Sequence, residues 1–69
     1  MKIKFAENLK ILRAEKKLKQ VDLAKIIGTT QRRISYFETG EIEPDMETLW
    51  RLSEYFEVSI DFLIGKTNY

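Results

Sequence analysis

The chain has 69 residues, 43% of them apolar, with 12 basic against 11 acidic side chains, a net charge of +1, and neither histidine nor cysteine. Such a length allows one domain, and domains near this size bury only about 60% of the surface their unfolded chain exposes. Disulfides and a Cys/His zinc site, the usual reinforcements of small folds, are excluded by composition, so apolar packing must carry the structure. The longest apolar run, Phe62-Leu63-Ile64, falls far short of the roughly 20 residues that span a bilayer. Met1 to Glu7 carry charge with no long apolar stretch behind them, so no signal peptide is expected and the reading is a cytoplasmic protein. Net charge alone argues against a nucleic-acid partner, because phosphate binding favours basic surfaces. The average hides a split: residues 1–37 carry ten basic and three acidic side chains, a net of +7, and residues 38–69 carry two basic and eight acidic, a net of −6.

Three glycines, at 28, 40 and 65, and one proline, at 44, punctuate a chain without repeats, low-complexity tracts or linkers. Phe5, Leu9 and Leu12 recur at i, i+4, i+7, which predicts a first helix from about Ile3 to Lys16, with Lys16 and Lys17 at its negative C-terminal end. Gln20 to Ile27 is a short second helix with Leu23, Ala24 and Ile27 on one face, closed by Gly28. Thr30 reads as the N-cap of a third helix, Gln31 to about Glu38, which buries Ile34 and Phe37 and ends at Gly40. After a loop over 41–44, Asp45 caps a fourth helix, Met46 to Phe56, whose inner stripe is Leu49, Leu52 and Phe56. Ser59 caps a fifth, Ile60 to Ile64, ended by Gly65. No segment alternates with period two, so the expected fold class is all-α, five short helices.

A helix of about eight residues, a three-residue turn and a second short helix follow the helix-turn-helix plan. Its demands are met in order: small Ala24 where the helices cross, Gly28 four positions later for a positive-φ turn, and inward-facing Ile34 six further on. The run from Gln20 to Gly40, Gln-Val-Asp-Leu-Ala-Lys-Ile-Ile-Gly-Thr-Thr-Gln-Arg-Arg-Ile-Ser-Tyr-Phe-Glu-Thr-Gly, resembles the helix-turn-helix of the phage Cro and cI-type (XRE-like) repressor family. The similarity continues through Pro44-Asp45-Met46-Glu47-Thr48-Leu49 and Val58 to Gly65, covering Phe5 to Gly65. The resemblance implies a compact five-helix, lambda-repressor-like domain, in most members a homodimer, whose third helix lies in the DNA major groove.

At about 100° per residue, Gln31, Arg32, Ser35 and Tyr36 fall on one side of the third helix, away from or flanking Ile34 and Phe37. These are the candidate base readers: Gln pairs bidentately with adenine, Arg with guanine, and Tyr36 reaches a thymine methyl or a phosphate. On an isolated helix the same residues would be an ordinary solvated face. Gln20 opens the second helix, where free N–H groups favour phosphate. The resemblance gives it a backbone contact and a role supporting the reading glutamine; otherwise it is a neutral first-turn residue. The resemblance also pairs Arg13 with Glu38, turning Arg13 toward phosphate, although two unpaired surface charges fit the sequence equally. Thr30, Thr39, Lys19 and Arg33 complete the candidate phosphate contacts. Three departures from the family pattern stand out. The loop Glu41-Ile42-Glu43-Pro44-Asp45 is acidic where relatives place Lys or Arg, Lys19 stands where a Ser or Thr cap is common, and Glu57 replaces a frequent Gly.

The last third is rich in aromatics. Trp50 and Tyr55, with Ile60, Phe62 and Ile64, either form a dimer surface or complete a small core. The reading adopted is a sequence-specific double-stranded DNA-binding regulator, a repressor acting as a homodimer on a pseudo-palindromic operator. The alternative is an antitoxin-like module whose C-terminal half binds a protein partner. Enzymatic function is not expected: there is no imidazole or thiol, no EF-hand spacing and no glycine-rich phosphate loop, and no cofactor or metal is called for.

Overall fold

The computed structural model describes residues 4–67. Within them the chain forms α1 (Phe5–Glu15), α2 (Gln20–Ile27), α3 (Gln31–Thr39), α4 (Met46–Phe56) and α5 (Ile60–Ile64), and no strand. The all-α, five-helix expectation holds, with α2, α4 and α5 at the expected bounds and α3 one residue longer. The first helix starts two residues later than its apolar periodicity suggests. Lys4 has φ −100° and ψ 25°, and its N–H leaves the helical path to reach the Ile64 carbonyl at 3.0 Å. Ile3, the expected first residue, lies outside the described region.

The periodic apolar residues all converge. Leu9, Leu23, Ile34, Phe37, Leu52 and Leu63 are fully buried, one or more from every helix, and Phe5 meets Phe37 edge-on at 5.8 Å between ring centroids. Centrally, α3 packs against α1 and α2, while α5 closes the base against α1 and α4. Asn8 fastens that base: its Nδ2 donates to the Phe62 carbonyl at 2.9 Å and the Leu63 carbonyl at 3.3 Å. The Phe62 carbonyl also takes the Gly65 N–H at 3.1 Å, so the Asn8 amide adds a second bond there and reaches the Leu63 carbonyl at the open end of α5.

Helix ends follow the caps that the sequence offers, with one change. Thr30 Oγ1 accepts the Arg33 N–H at 3.2 Å, and Ser59 Oγ accepts the Phe62 N–H at 3.0 Å. Asp45 occupies the N-cap of α4 without a side-chain capping hydrogen bond. It accepts instead from Thr48 Oγ1 at 2.5 Å and from Arg33 Nη2 at 3.5 Å. Those contacts, the threonine first, hold the Asp45 carboxyl below the usual carboxylate range. Among the described residues, Lys17 at φ 55° after α1 and Glu57 at φ 56° after α4 carry left-handed backbone without being glycine. Glu57 is the position at which glycine is expected. An L side chain there costs about 1–2 kcal/mol.

Candidate nucleic-acid interface

The second and third helices are joined through Gly28, at φ 84°, whose N–H and that of Thr29 both end on the Ala24 carbonyl at 2.9 Å. Arg51, reaching across from α4, donates Nη1 to the Ile27 carbonyl at 2.9 Å. A Cβ at position 28 would stand 3.0 Å from that same Nη1, so the turn is closed both by its conformation and by its neighbour. Leu23, Ala24 and Ile27 on one side and Ile34 and Phe37 on the other bury the inner faces. Gln31, Arg32 and Arg33 stand exposed at the start of α3, with Ser35 and Tyr36 half-buried and Thr39 exposed beyond them.

The polar side chains are linked. Arg13 Nε donates to Glu38 Oε2 at 2.6 Å and Nη2 to Oε1 at 3.0 Å, while Nη1 donates to the Leu18 carbonyl at 2.7 Å. Gln20 Nε2 donates to the same Glu38 Oε1 at 3.0 Å, and Gln31 Nε2 donates to Gln20 Oε1 at 2.6 Å. A continuous relay thus runs from the end of α1, through α3 and α2, to the first residue of α3. Glu38 is 6% exposed, and its bond to Arg13 raises the guanidinium pKa further. The structure forms the pair that the resemblance implies, but it turns Arg13 inward, with 19% of its side chain exposed, because Glu38 and the Leu18 carbonyl draw its three nitrogens.

The other candidates divide. Arg32 Nε donates to the Tyr36 hydroxyl at 2.9 Å, and the guanidinium lies 5.7 Å from that ring's centre, so exposed Arg32 and half-buried Tyr36 act as one unit. Arg33 leans over Phe37 at 5.2 Å and toward Asp45, away from the Arg32 side. Lys19 lacks a capping side chain, as expected; Asp22 substitutes by accepting the Lys19 N–H at 3.1 Å. Thr30 is occupied by its cap, and Thr39 Oγ1 donates to the Tyr36 carbonyl at 3.2 Å. In the acidic loop Glu41 and Glu43 are exposed, while Ile42 packs half-buried on the core.

Five residues were candidates for one dimer surface, and they do not share a hollow. Trp50, 58% exposed, and half-buried Tyr55 border a groove with Ile26, itself 46% exposed. Ile60, Phe62 and Ile64 are half-buried against the core, and Ile64 borders a different hollow, with Phe5, Phe37 and Pro44. Lys16 Nζ lies 5.2 Å from the Tyr55 ring centre. The sequence reading missed Glu38 as a buried keystone, Arg51 as the closure of α2, and Asn8. One signal was available: Arg13 and Glu38 each stand four positions after a fully buried residue, Leu9 and Ile34, on the edge of a buried stripe.

An eight-residue helix, a left-handed glycine turn and a second helix with a polar outer side define a helix-turn-helix domain. The helix-turn-helix family model matches residues 9–63, and the chain belongs to that family, one of DNA-binding transcriptional regulators and not of enzymes. Among its relatives is the uncharacterized HTH-type transcriptional regulator YqaE of Bacillus subtilis, 42% identical over 65 residues, 93% of this chain and 56% of YqaE. Another is the repressor protein C2 of Salmonella phage P22, 34% identical over 60 residues, 87% of this chain and 28% of that protein. A transcriptional regulator from Listeria innocua has a similar structure, with a TM-score of 0.90, 42% identity, and coverage of 94% of this chain and 61% of that one. The P22 c2 repressor in complex with a synthetic operator matches with a TM-score of 0.85 at 32% identity, covering 91% of this chain and 96% of that one. The chain spans little more than half the length of the curated relatives it matches first. Among the described residues no helix is long and apolar enough to cross a membrane.

Proposed function

We propose that this protein binds double-stranded operator DNA with α3 in the major groove and represses transcription by occupying a promoter. The observation that carries the reading is the relay: it holds exposed Gln31 at the mouth of the turn, with the Arg32–Tyr36 unit beside it on the same helix. Gln31 pairs with adenine N6 and N7, Arg32 with guanine O6 and N7, and Ser35 and Tyr36 complete the base contacts, Tyr36 through a thymine methyl or a phosphate. Lys19, Thr30, the second amide N–H of Gln20, and Thr39 once its hydroxyl turns from the Tyr36 carbonyl, hold phosphates around the two helices, and the start of α2 adds its free N–H groups. Arg33 joins them when phosphate displaces Asp45. Arg13 serves mainly by positioning Glu38. The likeness to the P22 c2 repressor, whose structure in complex with a synthetic operator matches over 91% of this chain, supports this reading.

Two copies bind together, with half-sites about 34–36 Å apart along the duplex. The exposed Trp50, with Ile26 and Tyr55, offers an aromatic anchor suited to a second copy, and Ile60, Phe62 and Ile64 supply a further apolar margin. The same Trp50 groove favours, as a second reading, capture of a protein partner by the C-terminal half. Selection of bound sequences from random duplexes at two salt concentrations tests the proposal. A two-fold-symmetric consensus is expected, and salt-sensitive binding without a consensus would overturn it. In Gln31→Ala, discrimination should fall at a single base pair in each half-site, with the fold intact. Trp50→Ala should weaken self-association; if it instead leaves a homodimer intact and releases another protein, the second reading is the correct one.

A further inference from the structure

The direction of every hydrogen bond in the relay is dictated from one end. Glu38 is an ion-paired carboxylate with no proton to give, and its Oε1 takes a bond from Gln20 at 3.0 Å. Gln20 must therefore turn its NH₂ group inward and its carbonyl oxygen toward Gln31, 2.6 Å away. An oxygen only accepts, so Gln31 must spend one N–H on Gln20. What remains on the exposed edge of Gln31 is its Oε1 and its second N–H, one acceptor beside one donor. Adenine offers the matching edge, the N6 donor and the N7 acceptor. If position 38 donated instead, Gln20 would reverse and its NH₂ would donate to one lone pair of the Gln31 oxygen. Gln31 would then present its donor and acceptor in the opposite order, an N–H toward the adenine N6 donor and the oxygen toward the N7 acceptor, and the match to adenine would be lost.

We infer that Glu38, which touches no base, determines the preference for adenine over guanine at the base pair facing Gln31, by fixing the polarity of the Gln20 and Gln31 amides. It is a positioning residue, and the inference rests on Gln31 reading a base as proposed above. Two further observations favour a device of this kind over a purely structural pair. Nothing in the Arg13–Glu38 bonds themselves requires Gln20, yet Gln20 is drawn onto the same oxygen as Arg13 Nη2. The relay also ends at an exposed side chain, where a link made only for stability would have no reason to extend.

The test measures competition binding of the full chain to its selected operator and to a copy in which A·T is replaced by G·C at the position where Gln31→Ala loses discrimination. The unsubstituted chain should prefer adenine there on the order of tenfold. Glu38→Gln, with its oxygen kept on Arg13 Nε and its NH₂ in place of the Oε1 shared by Arg13 Nη2 and Gln20, gives up the Nη2 bond and supplies an N–H to Gln20, so the ratio should collapse toward one, while discrimination at the base pair read by Arg32 persists. Gln20→Met leaves the Arg13–Glu38 pair untouched and severs the relay, and it carries the test if Glu38→Gln fails to fold. In Gln20→Met the adenine preference should fall at the same position. An unchanged adenine-to-guanine ratio in a folded variant, or an equal loss at every position, would overturn the inference. If Gln31→Ala changes discrimination nowhere, the base-reading role of Gln31 fails instead, and the two failures are told apart.

Discussion

Replacing Arg13 by Met should be among the most damaging single changes in this fold, although arginine is ordinarily a surface residue. Met preserves most of the aliphatic volume and removes only the guanidinium. Glu38, with 4% of its side chain exposed, would lose the bonds of 2.6 and 3.0 Å and keep only the 3.0 Å bond from Gln20. Leaving a buried charge without its partner costs about 3–5 kcal/mol. A 69-residue domain at 0.05–0.15 kcal/mol per residue has roughly 3–10 kcal/mol in total. Arg13→Met should therefore remove a large share of the stability, and much of the population should be unfolded at 37 °C. The reverse deletion should be milder: Glu38→Met leaves a guanidinium that is already 19% exposed and can turn to water. The double variant removes both charges and should recover most of the loss, because a buried ion pair replaced by apolar residues of similar volume is often neutral. Urea unfolding followed by circular dichroism at 222 nm gives all four corners of the cycle. A loss below about 1 kcal/mol in Arg13→Met, the range of an exposed pair, would refute the argument. So would a double variant no more stable than the Arg13 single variant.

Two further outcomes follow from the backbone and from the fourth helix. Glu57→Gly should relieve left-handed strain and, after the extra chain entropy of glycine, gain about 0.5–1 kcal/mol, raising Tm by several degrees in a thermal melt. A fall in Tm would show that the Glu57 side chain is needed for another reason. Because Asp45 is held below its ordinary value by Thr48, its contribution is complete above the unfolded carboxyl value near pH 4 and disappears as pH falls through the lower folded value. Thr48→Val should therefore flatten the acid limb of the stability profile in that window and leave the slope near neutrality unaltered; an acid limb identical to that of the unsubstituted chain would refute the assignment.

Local features were readable from the residues because they are decided within a few positions. Thr30 and Ser59 each cap with their own hydroxyl three residues ahead, and Gly28 closes α2 through its own positive φ. The apolar stripes of α1 through α4 became the core without exception because helical spacing alone determines which side chains can share a face. The Arg13–Glu38 and Gln20–Gln31 links of the relay are implied by the family resemblance alone, and the Gln20–Glu38 link that joins them is not legible in the sequence. The relay's links join residues 25, 18 and 11 positions apart, so the donor and acceptor meet only after three helices have packed. The Arg33–Asp45 contact is hidden from the sequence for the same reason, since Asp45 lies 12 positions away across a loop and reaches it only when α4 docks. The start of α1 was displaced by a partner near the far end of the chain, the Ile64 carbonyl.

That last bond has a practical reach. Lys4 donates to Ile64, and a Cβ on Gly65 would lie 2.8 Å from the Cβ of Lys4, so the polypeptide enters and leaves the domain at one corner. A host loop would need only a short spacer on each side to carry the whole unit as an insert, and both fusion junctions would exert their pull on the same pair of helix ends. Tension applied there would load the Lys4–Ile64 and Asn8–Phe62 bonds directly, making the α1–α5 clasp the first part of the molecule to open.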